Sequence, residues 1–338
     1  MRLGIGLTPM ETRRDVVLHI ATRAESLGYD AFFLAEGWGH DASVLLTEVA
    51  TRTSRIRIGT GVLNIWGRSA AQIAMLATSL HEISQGRFVL GLGAGSPMLA
   101  EGLHDVEFCA PVPRLAAMTR QVRALLDGER LSPANGSRGL RLAVGPSPVP
   151  ITLAALGPAA IRVCGQVADG WAPFLSPASA LKDGIRMLER SAAGRPLPQV
   201  YPCVPAAVSP HPDQARALAS WWVDFYLTKM GPLYPTRLRQ LGFTTAVDEV
   251  VTGTGQIPEI LLDELTLCGD AATARAGLER LHAAGADMPI ITLPPNRSVE
   301  ELDHILDALA PTAATPRPRN APDGSTLPAM PALAAPRL

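Results

Sequence analysis

Net charge is almost absent from this chain: 30 Lys and Arg stand against 31 Asp and Glu over 338 residues, a formal charge of −1. So balanced a composition offers no broad basic field to nucleic acid or to an anionic membrane, and the expected partner is a small molecule. Cysteine is scarce. Cys109, Cys164, Cys203 and Cys268 lie far apart and form no CxxC pair, which argues against a zinc site and for reduced thiols in a cytosolic protein. No run of about 18 apolar residues is available to cross a bilayer. The short apolar start, Met1-Arg2-Leu3-Gly4-Ile5-Gly6-Leu7, reads as a strand rather than a signal peptide. No two histidines fall at metal-ligand spacing, so no metal site is expected; His81, His282 and His304 sit inside helical runs. A GxSxG elbow, a Walker A loop and an HExxH pair are all missing, which leaves hydrolase, kinase and metalloprotease chemistry without support.

What the chain does have is alternation. Short apolar strands are followed by amphipathic helices, the grammar of a parallel sheet wrapped by helices. Leu3 to Leu7 reads as a strand, Thr12 to Leu27 as a helix closed by Gly28, and Ala31 to Ala35 as the next strand. The same unit recurs through strands at 56–62, 88–92, 151–155, 170–174, 199–208 and 289–293. Eight strands, each followed by helix, predict an α/β fold of the (β/α)8 TIM-barrel type with inserted segments over residues 1–310; an open doubly wound sheet is the competitor. Residues 127–150 form an irregular excursion rich in Gly, Pro and Ser, and 230–264 break the rhythm as an insertion. The Pro/Ala-rich tail from 311 to 338 lacks a periodic apolar face and is expected to be disordered.

In such a barrel the chemistry gathers at the carboxyl ends of the strands. The second strand ends in Glu36-Gly37-Trp38-Gly39-His40-Asp41. One reading makes Glu36 or His40 a proton donor or acceptor and Trp38 a wall; the plainer one makes Asp41 a helix N-cap and Trp38 packing. The third strand end, Gly59 to Arg68, has two glycines in a β-rich run, which suggests a bulge. The fourth runs into Gly91-Leu92-Gly93-Ala94-Gly95-Ser96-Pro97, where backbone can touch a ligand. The fifth ends in Leu156-Gly157-Pro158, a turn whose following amides attract phosphate although Pro158 has none to give. The sixth ends in Asp169 to Phe174, a second aromatic element at the barrel mouth.

Several of these segments together resemble the bacterial luciferase-like superfamily, and within it the coenzyme F420-dependent oxidoreductases. They are Thr53-Ser54-Arg55-Ile56-Arg57-Ile58-Gly59-Thr60, Gly86 to Gly93 with Pro97 and Glu101-Gly102, Ala154 to Pro158, Ala168-Asp169-Gly170-Trp171, and Asp263 to Asp270. The resemblance implies a deazaflavin, or alternatively FMN, across the barrel mouth. Gly61-Val62 would form a non-prolyl cis bulge behind the ring, with Asn64 near it. Gly93, Gly95, Ser96 and Leu99 would flank the ribityl chain, and Leu156, Gly157 and Pro158 the phosphate. Glu36 would be the acidic residue beside the reacting ring, although relatives often have an Asp-His pair where this chain has Glu36-Gly37. The implied activity is hydride transfer to a C=C or C=N bond of a small metabolite; the alternative is an FMN-dependent monooxygenase served by a partner reductase. The resemblance also allows a homodimer.

Overall fold

Runs with apolar residues three and four apart become helices and short β-rich runs become strands in a computed structural model that describes residues 1–131, 136–253 and 256–311. The strands are β1 (Gly4–Leu7), β2 (Ala31–Leu34), β3 (Arg57–Thr60), β4 (Leu63–Asn64), β5 (Phe88–Gly93), β6 (Ile151–Ala154), β7 (Gly170–Trp171), β8 (Gln199–Val200), β9 (Cys203–Val208), β10 (Leu267–Gly269) and β11 (Ile290–Leu293). The helices are α1 (Arg14–Leu27), α2 (Ala42–Arg52), α3 (Ala70–Ile83), α4 (Pro97–Ala100), α5 (Pro111–Leu126), α6 (Pro158–Val167) and α7 (Ala178–Ser191). They continue with α8 (Pro212–Thr228), α9 (Leu233–Gln240), α10 (Thr244–Thr252), α11 (Glu259–Leu265), α12 (Ala271–Ala283) and α13 (Val299–Leu309).

Every strand pairing is parallel, along the path β10-β9-β11-β1-β2-β3-β5-β6-β7-β8 with β4 beside β5. Leaving aside β10, which pairs only with β9, the two ends of that path, β9 and β8, belong to one stretch of chain. β8 and β9 are interrupted only by Tyr201-Pro202, and a proline has no N–H for a ladder. On one side Tyr201 N donates to Trp171 O (2.7 Å) and Cys203 N to Pro173 O (2.8 Å); on the other Ile290 N donates to Pro202 O (2.8 Å). The sheet therefore closes on itself as the (β/α)8 barrel, with β3–β4 as one bulged strand and β8–β9 as one broken strand. β10 is an addition that periodicity did not reveal, a three-residue strand on the outer half of β9.

Inside the barrel, Phe33, Val89, Tyr201, Met288 and Ile290 pack together. Glycine at 59 makes room for Phe33, since a Cβ there would meet the ring at 2.5 Å. A second core, with Trp222, Val223, Leu238, Val247 and Leu262, holds α8 to α11 together, and the described part of the insertion at 230–264 carries α9, α10 and most of α11. The described part of 127–150 has neither helix nor strand, and the tail from 312 onward lies outside the described residues. No described helix is long and apolar enough to cross a membrane.

Two polar devices fix where the third and fourth barrel strands begin. All five N–H groups of Arg87 are used: on Ser84 O, Thr53 Oγ1, Ile56 O, Ala50 O and Thr53 O, at 2.8 to 3.0 Å. The Glu25 carboxylate accepts from the amides of Ser54 (3.0 Å), Arg55 (2.8 Å) and Ile56 (2.9 Å), holding the turn that leads into β3. Burial works against that charge, but the three amides together with the Arg55 charge hold the carboxyl below the usual glutamate range. A depressed folded-state pKa gives stability that is present at neutral pH and lost as pH falls through the folded value. Glu25→Gln should therefore cost about 1 kcal/mol in urea unfolding at pH 7. Its difference from wild type should shrink as pH falls below the ordinary glutamate range.

Candidate active site

The strand ends surround a cleft of about 1110 Å3, counting its open mouth. Thr8 and Pro9 after β1, Ala35, Glu36 and Trp38 after β2, Gly61, Val62 and Asn64, then Gly95 and Leu99 form one side of it. Thr152, Ala154, Ala172, Phe174, Tyr201 and Cys203 continue around the barrel, and Tyr226, Met230 and Tyr234 close over from α8, the turn after it and α9.

The floor follows from a register shift. Gly59 pairs with Val89 and Leu63 with Leu92, so four steps along one strand answer to three along its neighbour. That is a one-residue bulge, as the two glycines suggested. The Gly61-Val62 peptide within it is cis. It is flanked by two hydrogen bonds to the end of β2: Gly61 N donates to Leu34 O (2.8 Å), and Val62 O accepts from Glu36 N (3.1 Å).

Glu36 is nearly enclosed, with its side chain 7% exposed. Arg68 grips it with both terminal nitrogens, one contact being Nη2 to Oε2 at 2.9 Å, and Ala42 N donates to Oε2 at 3.0 Å. Arg68 also reaches Asp41 Oδ2 at 2.7 Å. The hydrogen bonds that Arg68 donates to Glu36 push its guanidinium even higher than its ordinary value, although burial works the other way. Asp41 accepts from Ser43 N at 2.9 Å and is the N-cap of α2, the plainer of its two readings.

Asn64 is 3% exposed, and its side chain is fully committed. Oδ1 accepts from Trp66 N and Gly67 N, both at 2.9 Å, and Nδ2 lies 3.1 Å from His104 Nε2. Because Nδ2 can only donate, His104 Nε2 accepts and its ring proton sits on Nδ1. Two hydroxyls lack any such partner: Thr8 Oγ1, in the cleft wall, and Ser96 Oγ, between Gly95 and Leu99 in the chain, are both buried without a hydrogen bond.

Of the residues singled out in the sequence, Glu36, Trp38, Gly61, Val62, Asn64, Gly95 and Leu99 meet in the cleft. His40 does not: it is exposed, with Nε2 on Thr12 O at 3.0 Å. Gly93, Ser96, Leu156, Gly157 and Pro158 sit just outside the lining, Gly157 as the N-cap of α6 with open space where its Cβ would be. The aromatic element expected at the sixth strand end divides in two. Trp171 is 2% exposed, donates to Ala155 O (2.8 Å) and packs on Gly184 of α7, whereas Phe174 faces the cleft. Sequence reasoning missed Arg68 and His104, which reach the site from 32 and 40 residues away, and Tyr234, whose helix has no strong apolar periodicity.

The model of the luciferase-like monooxygenase family matches residues 2–288. The chain belongs to this family. A Mycobacterium tuberculosis protein named as a coenzyme F420-dependent oxidoreductase is 30% identical over 352 aligned positions, which cover 89% of this luciferase-like chain and 98% of the relative. The 5,10-methylenetetrahydromethanopterin reductase of Methanolobus tindarius is 27% identical over 321 positions, 88% of this chain and 96% of its own. Among solved structures, an F420-dependent secondary alcohol dehydrogenase in complex with an F420-acetone adduct aligns with a TM-score of 0.75. It covers 90% of this chain and 97% of that one at 19% identity, a likeness of fold.

Breaking the enclosed ion pair from one side should be costly, because Glu36 would be left charged and unmatched. Arg68→Met is expected to lose about 3 kcal/mol in urea unfolding, and Glu36→Leu/Arg68→Met to recover most of it.

Proposed function

We propose that this chain is an oxidoreductase that uses coenzyme F420, moving a hydride between the deazaflavin and a small organic substrate and reducing a C=C or C=N bond. The observation that carries the reading is the cleft floor. Glycine-rich ends of two adjacent strands meet there at the one-residue bulge and bring backbone, rather than side chains, to the bottom of a mostly apolar cleft. The relative named as a coenzyme F420-dependent oxidoreductase, which aligns over nearly its whole length, favours a deazaflavin there.

The residues present suit such a group. Gly61, Val62 and Asn64 would back the ring system, while Gly93, Gly95, Ser96 and Leu99 would follow the chain that leaves it. The unpartnered hydroxyls of Thr8 and Ser96 are donors in search of an acceptor at the places where a polar ligand edge would lie. Leu156, Gly157 and Pro158 would take the phosphate at the N-terminus of the ten-residue helix α6, through the amides after Pro158. When bound, the reduced deazaflavin supplies a hydride from a ring carbon, and the protein's work is to orient it and keep water away. Trp38 and Leu99 provide part of that cover.

The proton-donor role considered for Glu36 is not the one its surroundings favour. Three N–H groups occupy its oxygens, so we read it as a fixed charge that anchors the rim through Arg68. His40 is outside the cleft and is not assigned a part in the reaction.

The family's monooxygenase description keeps an FMN-dependent oxygenase as a second reading. Fluorescence titration separates the two. Oxidised F420 should bind saturably to the purified chain, and Gly157→Asp should weaken it at least about tenfold by setting a carboxylate at the phosphate turn. Stoichiometric FMN binding with no affinity for the deazaflavin would overturn the reading.

A further inference from the structure

Opposite the glycine floor stands a wall of three packed rings. Phe174 lies 4.8 Å from Tyr226 and 6.2 Å from Tyr234, and the two tyrosines are 5.2 Å apart, edge to face. All three line the cleft, and α8 behind them is held by Trp222 in the second core. Neither tyrosine hydroxyl has a hydrogen-bond partner among the described residues, and both tyrosines line the cleft. Burial pushes both hydroxyls well up from the ordinary tyrosine value, and their mutual proximity raises Tyr234 further. They are standing hydrogen-bond donors.

Charge narrows what can enter. Among the described residues lining the cleft, Glu36 is the only charged side chain, and Arg68 already neutralises it. No Lys, Arg or His lines the cleft among those residues. A phosphate or carboxylate placed against this wall would give up its water and gain no cation, whereas a neutral aromatic or conjugated body would gain ring contacts.

We propose that Phe174, Tyr226 and Tyr234 form the substrate subsite, and that it takes an uncharged, planar molecule whose hydrogen-bond acceptor is held by the two tyrosine hydroxyls. The assignment rests on the hydride-transfer reading for one point: the acceptor is the atom on which negative charge develops as a neighbouring carbon takes the hydride. Donors held at that atom would favour the transition state over the ground state.

The test is equilibrium binding, followed by calorimetry on the full chain loaded with oxidised F420. Three probes share one ring system: 2-acetonaphthone, 2-naphthoate and naphthalene. The ketone should bind saturably and the carboxylate at least about tenfold more weakly. Tyr226→Phe and Tyr234→Phe should each weaken the ketone about three- to tenfold while leaving naphthalene unchanged, since the rings remain and only the hydroxyl is lost. Thermal midpoints close to wild type establish that the variants fold. Absence of saturable ketone binding, equal binding of ketone and carboxylate, or a double Tyr→Phe variant with unaltered ketone affinity would each overturn the subsite. The same titrations run without cofactor keep the two readings apart. If F420 fails to bind but the probe pattern holds, the cofactor assignment falls and the subsite stands.

Discussion

The site depends on one close approach between two strands. Gly91 N donates to Thr60 Oγ1 and Thr60 Oγ1 donates to Gly91 O, both at 2.8 Å, at the point where the ladder between β3 and β5 is broken. A Cβ on Gly91 would stand 2.0 Å from Thr60 O, so only glycine lets the strands meet this closely. The Thr60 hydroxyl, with the residue 1% exposed, takes over the donor and acceptor duties that the missing backbone pairs leave behind. With those groups satisfied, the strand can slip by one residue. The slip turns the Gly61-Val62 peptide toward the cleft and brings Asn64 level with Gly93.

The second strand is tied to that bulge through Glu36. Its backbone N–H is bound by Val62 O, and its side chain is bound by Arg68, which follows the same bulge four residues beyond Asn64. Backbone and side chain of one residue therefore hold both ends of the segment 62–68. Arg68 also spans to Asp41, the cap of α2, so the rim of the cleft and the start of the next helix move as one piece. A single guanidinium that satisfies two carboxylates leaves little freedom for any of the three, which suits a surface that must stay flat against a ligand.

Much of this was legible in the chain. The eight barrel strands, the bulge at Gly59 and Gly61, and the gathering of Glu36, Trp38 and Gly95 follow from period, glycine placement and the rule that barrel sites form at strand ends, while Asn64 and Leu99 were placed there by the family resemblance. What escaped was set by tertiary closure. Glu36 beside Arg68 and Asn64 beside His104 are contacts across 32 and 40 residues, and no local pattern marks an acid as paired rather than free. Trp171 and Phe174 sit three positions apart at one strand end, and sequence could not say which would turn outward. Gly184 decides it, because its missing side chain leaves a slot on α7 into which the Trp171 ring fits. Tyr226 lies in a run of aromatics on α8 that reads equally well as core; Trp222 is core, and Tyr226 four residues on reaches the cleft.

The two faces of the cleft thus come from different kinds of sequence. The floor is made of backbone at the ends of barrel strands, where Gly59, Gly91 and Gly93 each face a neighbour that would clash with any side chain. The opposite wall is made of side chains, Phe174 from a strand end and Tyr226 and Tyr234 from helices that share a core of their own and join the barrel through α8 against β9. Substitutions on that wall change which molecule fits without disturbing the bulge, whereas a methyl group on Gly91 would part the strands themselves. A barrel arranged in this way can keep one reacting surface and vary what is presented to it, because the constraint that shapes the floor and the packing that shapes the wall share few residues.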